Sequence, residues 1–130
     1  MIDQEKVSSA FKSFRQKAKE HLGGKVYARQ AFMCCGGCAA SAIFQDIENY
    51  NAKGKGRAVG SVWYHKQDAY GLRKGHDLYI GYGASEAIGE CSKDLATRRI
   101  GEILVSCLEA EGLDTEWNGN IRDRIRVISK

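Results

Sequence analysis

Cysteine is concentrated at one point of the chain, where the sequence reads AFMCCGGCAAS over residues 31–41. Cys35 and Cys38 form a C-x-x-C motif there, and the two glycines between them allow a tight backbone turn. A thiol at the start of a helix is stabilised as a thiolate by the free N–H groups and by the positive end of the helix dipole. The motif therefore suits reversible dithiol exchange, nucleophilic attack or one half of a metal site.

The surrounding sequence lacks the usual companions of a redox or zinc motif. A thioredoxin-like protein has an aromatic residue before the motif and a cis-proline opposite it, whereas Cys34 precedes it here and the chain has no proline. A structural zinc needs four ligands, and the chain has no second C-x-x-C, so His65 or His76 would have to serve as a further ligand. We predict no metal and no cofactor. Whether the thiols react, bind metal or are small buried side chains stays open.

His65 and Asp68 are the residues that could serve a reactive thiol. They belong to the segment YHKQD, residues 64–68, which follows a predicted strand. A histidine oriented by a carboxylate can act as a general base or activate a thiol. The structural alternative is a strand end followed by a helix N-cap. The candidate catalytic set is thus Cys35, Cys38, His65 and Asp68.

Hydrophobic spacing predicts helices and strands in alternation around these residues. Apolar residues at helical spacing predict a first helix ended by Gly23-Gly24, a second from Cys38 to about residue 50, and a long one over residues 85–111. Apolar alternation predicts strands over residues 26–33, in RAVGSVWYHK and in HDLYIGYG, then two short strands around Asn118-Gly119. With a short helix or turn in QDAYGLRKG, we predict a single α/β domain with a mixed four- to five-stranded sheet and helices packed on it.

The long predicted helix accounts for two other cysteines. Cys91 and Cys107 would lie in it, with Cys107 on the apolar stripe, and we predict that both pack in the core. The preceding segment, GYGAS, has two glycines of a phosphate-binding loop but lacks the third. We therefore expect Ser85 to be an ordinary helix N-cap.

Composition and charge indicate a globular protein without a nucleic-acid partner. The net charge of +4 arises from 20 basic and 16 acidic residues, and the basic ones are spread along the chain. Aromatic residues make up only 9%, with no signature of a nucleic-acid-binding fold. No apolar run approaches the roughly 20 residues that span a bilayer, and the amino-terminal residues are charged where a signal peptide would be apolar. Since an odd cysteine count fits a reducing compartment, we expect a cytoplasmic protein with no membrane partner.

Several motifs, taken in order, resemble a bacterial family of small proteins of unknown function. The chain shares with that family a CC-x-x-C stretch, a YH-x-QD segment, an L-Y-x-x-YG strand and a W-x-G turn with an R-I-x-V end. The resemblance covers residues 31–127 and leaves residues 1–24, with the first helix, outside. It implies no activity, cofactor or partner, but it groups Cys35, Cys38, His65 and Asp68 as candidates.

Two functions from different classes follow. The leading hypothesis is a thiol enzyme or redox protein in which Cys35 is the nucleophile, Cys38 resolves it, and His65 with Asp68 tunes protonation. The alternative is a non-enzymatic binding or structural module. One version of this hypothesis is a homo-oligomer. In that module the cysteines pack in the core, and exposed Tyr, Trp and Arg side chains contact a partner. The sequence names neither substrate nor partner.

Overall fold

The computed structural model describes residues 1–32, 36–54 and 56–129. Helices and strands alternate over most of this part of the chain, in the predicted order. The helices are α1 (Gln4–Leu22), α2 (Gly36–Ala52), α3 (Lys66–Arg73) and α4 (Lys93–Ala110). The strands are β1 (Lys25–Arg29), β2 (Ala58–Trp63), β3 (Leu78–Ala84), β4 (Thr115–Glu116) and β5 (Ile125–Val127).

The described strands form one open sheet in the order β1-β2-β3-β5-β4. β1 and β2 are parallel and are connected through α2, whereas the other neighbouring pairs are antiparallel. The parallel pairing places the carboxyl ends of β1 and β2 at the same end of the sheet. The prediction of a single α/β domain with a mixed sheet is confirmed.

The sheet separates two hydrophobic clusters of different size. On one face, α1 and α4 pack on each other and on strand residues that include Val26 and Ala28 of β1. On the other face, Ile43 and Ile47 of α2 form a smaller cluster with Tyr27 and other residues of the first two strands. This division follows from the alternation of side chains along a strand. β2 is buried almost throughout, since both of its faces are covered by hydrophobic clusters.

α1 ends at the glycine pair that the sequence predicts, and it begins after a capping aspartate. Asp3 is the N-cap, and its carboxylate accepts the N–H of Glu5 at 2.9 Å. Gly23 ends the helix with a left-handed φ of 69°, which glycine adopts without steric cost, and its N–H reaches the carbonyl of Lys19. The helix buries its apolar stripe, including Phe11 and Phe14, in the main cluster.

The beginning of α4 differs from the prediction. The chain from residue 85 does not enter a helix, because Ile88 and Cys91 pair across a turn in which Gly89 has a φ of 57°. Ser92, not Ser85, is the N-cap, and its hydroxyl accepts an N–H from the first turn of α4 at 3.2 Å. Cys91 therefore precedes the helix, half-buried against the core. The strand–loop–helix context of a phosphate-binding loop is also missing, since Gly83 lies within β3.

The apolar stripe of α4 is largely as predicted. Leu104 and Cys107 are buried in the main cluster, and Arg99 is exposed. Leu95, an apolar residue in the first turn of the helix, is 44% exposed. Burial raises the pKa of the Cys107 thiol, which fits the predicted packing role.

β1 is shorter than predicted and ends at Arg29 instead of residue 33. Ala31 has a φ of 48°, outside the range of a strand, and this turns the chain away from the sheet direction. The N–H of Phe32 still bonds to the carbonyl of Tyr64 at 3.0 Å, so the chain stays beside the end of β2 until residue 32.

β4 and β5 flank the predicted turn, but the connection is a long loop over residues 117–124. The hydroxyl of Tyr82 lies 2.9 Å and 2.8 Å from the carbonyl oxygens of Asn120 and Asp123, and it accepts the indole N–H of Trp117 at 2.8 Å. The indole ring packs over Gly101 of α4, where an added Cβ would lie 2.7 Å from it. One tyrosine thus organises the whole loop.

Candidate functional site

Two segments with predicted site residues lie at the end of the sheet where β1 and β2 have their carboxyl ends. α2 begins after the end of β1, and Cys38 lies in its first turn with an exposed side chain. His65 follows β2 and begins α3. Cys35 lies outside the described residues. Because β1 and β2 are parallel neighbours, Cys38 and the His65–Asp68 pair lie at the same end of the sheet.

His65 is the N-cap of α3, and Asp68 contacts both of its ring nitrogens. Nδ1 accepts the backbone N–H of Asp68 at 3.3 Å, so the ring proton lies on Nε2. Nε2 lies 3.2 Å from Oδ2 of Asp68, and the imidazole is only 10% exposed. The structure thus brings these two predicted residues together. The imidazole is placed as a helix cap and not as a base that faces solvent.

Asp68 also connects α3 to the carboxyl-terminal strands. Nη1 of Arg124, next to β5, lies 3.8 Å from the same Oδ2. That oxygen is buried and makes no hydrogen bond to any described residue. The carboxylate therefore lies between an imidazole and a guanidinium from separate elements, an arrangement that stabilises the junction of α3 with the sheet.

A groove of about 670 Å³ runs along the outer edge of β1, at a place where no motif predicted a site. β1 is its floor, with walls from the carboxyl-terminal half of α1 and from the chain that enters β2. Five of its twelve lining residues are cations. They are Arg15, Lys19, Lys25, Arg29 and Arg57.

Carboxylates neutralise only part of this charge. Arg29 lies 3.3 Å from Asp46 of α2, and Nε of Arg57 lies 2.9 Å from Glu86. The other three cations of the groove form no ion pair with any described residue. An anion would therefore enter a region of net positive potential, whose walls reduce screening by solvent.

Tyr27 and Tyr50 form the aromatic part of the groove. Nζ of Lys25 lies 4.6 Å and 4.7 Å from the centres of these two rings, and the guanidinium of Arg29 lies 4.8 Å from the Tyr27 ring. Such cation–π contacts hold the two cations in place along the strand. Burial raises the pKa of Tyr27, the largest effect there, although Arg29 acts against it. Tyr27 is consequently a neutral hydrogen-bond donor at physiological pH.

The sequence holds a signal for this groove in the segment KVYAR, residues 25–29. Lys25, Tyr27 and Arg29 alternate with Val26 and Ala28, which predicts a strand with one charged and one apolar face. That β1 is an edge strand follows only from the topology, because strand order depends on pairing between distant segments.

Metal and membrane sites have no support in the described part of the chain. No group of three or more His, Cys, Asp or Glu side chains in it is placed to bind a metal ion. No helix in it has both the length and the apolar character needed to cross a membrane.

Comparison with known proteins gives one match. The model of a family described as a domain of unknown function, DUF6891, matches residues 1–129, and this range includes α1, which the shared motifs had left outside. No curated protein and no solved structure matches the chain. With nearly its whole length matched, the chain belongs to the DUF6891 family of domains of unknown function.

Proposed function

We propose that the chain is a binding module that holds an anionic partner in the groove beside β1. The observation that supports this function is the set of five cations around one concave surface, of which two are paired with carboxylates in the described part of the chain and three are not. Lysines and arginines without partners repel one another, so a groove that gathers them gains stability when an anion binds. The proposal corresponds to the non-enzymatic alternative predicted from the sequence.

The affinity for an anionic probe tests this function. Fluorescein-labelled oligoglutamate, with inorganic tripolyphosphate as competitor, should bind to the protein, and the affinity should fall as salt screens the charges. Lys25→Gln should weaken binding about fivefold to tenfold, since it removes a cation that lines the groove and has no ion pair with a described residue. Lys93→Gln is the matched control, because Lys93 is exposed at the start of α4 and does not line the groove.

Two outcomes would contradict the binding function. One is that neither anion binds at low salt. The other is that Lys93→Gln weakens binding as much as Lys25→Gln does, since net charge and not the groove would then determine the affinity.

We also propose thiol chemistry as a second candidate function, because Cys38 is exposed at the same end of the sheet as the His65–Asp68 pair. In this mechanism the thiolate of Cys35 attacks a substrate disulfide and releases one substrate thiol. Cys38 then attacks the mixed disulfide, so that the protein dithiol becomes a disulfide and the substrate gains two electrons and two protons. His65 and Asp68 would tune protonation through the helix cap.

Iodoacetamide labelling of each cysteine across pH, read by mass spectrometry, tests this second function. A reactive site requires that Cys35 or Cys38 label with a pKa below that of an ordinary thiol. Labelling of both only with an ordinary thiol pKa near 8.5 would remove the support for the thiol mechanism.

We further propose a bacterial cytoplasmic location and, for the module, a homo-oligomeric form. The odd cysteine count and the family resemblance support the location. Cell fractionation and size-exclusion chromatography with light scattering test the two proposals separately.

A further inference from the structure

The outer edge of β1 exposes backbone groups that no described strand pairs with. The N–H of Lys25 and the carbonyl of Arg29 point toward β2, where they bond to Arg57 at 2.9 Å and to Tyr64 at 3.2 Å. Successive residues of a strand direct their N–H and C=O groups to opposite sides of the strand. Two residues of β1 therefore direct these groups away from β2 and into the groove. These are the amides and carbonyls of Val26 and Ala28.

A side chain occupies one of these outward groups. Nη2 of Arg15 donates to the carbonyl of Ala28 at 2.6 Å. Arg15 is on α1 and lines the groove, so this bond covers the edge with a movable side chain and not with another strand. A partner that supplied its own N–H to Ala28 could replace Arg15, whose guanidinium would then be available to an acidic side chain.

The spacing of the cations matches the side-chain repeat of a strand. Lys25 and Arg29 flank Tyr27 on one face of β1, each two positions from it. Arg15 and Lys19 line the groove from α1, which packs on the opposite face of β1. Acidic side chains on an added strand would lie opposite these cations, and cross-strand pairs of opposite charge are favourable.

The same features argue against two other occupants. Stacking of a nucleobase needs a free aromatic face, whereas the Tyr27 ring is in contact with Lys25 and with Arg29. A second copy of the chain would bring β1 against β1 and place like charges in contact, which is unfavourable. Charged side chains on edge strands commonly prevent such self-pairing, and here the cations would keep β1 of a second copy from pairing at this edge while leaving it open to an acidic strand.

We infer that the groove binds an extended acidic polypeptide segment, which adds to the sheet as a strand beside β1 and displaces Arg15 from the carbonyl of Ala28. This inference rests on the proposed binding function and specifies its partner. Backbone hydrogen bonds to Val26 and Ala28 would supply affinity, and the flanking cations would select for acidic side chains.

Three peptides of equal charge test strand addition. The parent is an eight-residue peptide of alternating glutamate and valine, capped at both ends, and the other two carry N-methyl groups on all valines or on all glutamates. Only one set of amides can face β1 in an added strand. We expect one methylated peptide to bind at least about tenfold more weakly than the parent, because it loses hydrogen bonds to the edge, and the other to bind within about twofold.

Hydrogen exchange gives an independent readout on the intact protein. The amides of Val26 and Ala28 should exchange more slowly when the parent peptide is bound, and inorganic tripolyphosphate should not produce this protection. A ligand that binds through its charge alone, without adding a strand, would leave these two amides unprotected.

Each negative result has a distinct meaning. Equal affinity for all three peptides, without protection of Val26 and Ala28, would overturn strand addition but leave the anion-binding function intact. Binding of a single-stranded oligonucleotide in place of the peptides would overturn the choice of partner. If the peptides, tripolyphosphate and the oligonucleotide all fail to bind, both the inference and the binding function are wrong.

Discussion

Gly101→Ala tests the contact between α4 and the loop over residues 117–124. Alanine in place of glycine inside a helix should stabilise the protein by about 1 kcal/mol. Here the new Cβ would lie 2.7 Å from Cη2 of Trp117 and 3.2 Å from Cε2 of Tyr82. The indole cannot move freely, since its N–H donates to the Tyr82 hydroxyl at 2.8 Å. Overpacking costs about 1–3 kcal/mol, so we expect a net loss of about 1 kcal/mol.

A second substitution shows whether the indole is the cause. In a Trp117→Leu background the ring is absent, so the helix preference should prevail and Gly101→Ala should become neutral or stabilising. The two substitutions should then show a coupling of about 1 kcal/mol or more. Gly83→Ala is the control, because a Cβ on Gly83 would meet no atom within 4 Å.

Urea denaturation followed by far-UV circular dichroism measures these free energies of unfolding for the five proteins. Circular dichroism avoids a change of fluorophore when Trp117 is replaced. If Gly101→Ala destabilises both backgrounds equally, or stabilises the wild-type chain, then Trp117 does not pack on α4 as described.

Three further predictions concern stability and thiol access. Leu104→Ala should lower the free energy of unfolding by about 2–5 kcal/mol by leaving a cavity, and Arg99→Ala by less than about 0.5 kcal/mol; equal urea midpoints would contradict the helix orientation. A hydrogen bond from a backbone N–H, and then Arg126, lower the pKa of Asp77 in the folded protein. The ionised carboxylate therefore stabilises the fold above its unfolded pKa near 3.8, and this stabilisation is lost as the pH falls through the lower folded pKa. Asp77→Asn should make the free energy of unfolding less dependent on pH below about 4, which thermal melts from pH 2 to pH 7 measure. Cys38 should react with iodoacetamide in the folded protein while Cys107, buried and with a raised pKa, reacts only after unfolding.

Local sequence patterns predicted most of the elements, because each depends on nearby residues. Gly23 ends α1 because glycine readily adopts the left-handed conformation found there. The alternation of Leu78, Ile80 and Tyr82 marks the buried face of β3. The errors arose where a local pattern had several solutions. Ser85 and Ser92 both precede apolar residues at helical spacing. Ser92 is the N-cap because the Ile88–Cys91 bridge holds the chain between them in a turn.

The site was less predictable because its parts come from separate segments. His65 and Asp68 are three positions apart, so one turn of helix was enough to bring them together, but their burial and the nearby Arg124 depend on the packing of β5. The groove depends even more on tertiary structure. Its cations come from α1, from β1 and from the residue before β2, and only the position of β1 at the sheet edge makes them one surface.

The position of β5 has a consequence for how the sheet is completed during synthesis. β4 is made before β5, yet its strand partner in the sheet is β5, which in turn lies between β4 and β3. During synthesis β1 to β3 and then α4 leave the ribosome before residues 125–127, so they can pack while β4 still lacks its strand partner. The basic edge at β1 would therefore form early, and the opposite edge of the sheet would close last, as the final strand inserts between two that are already made.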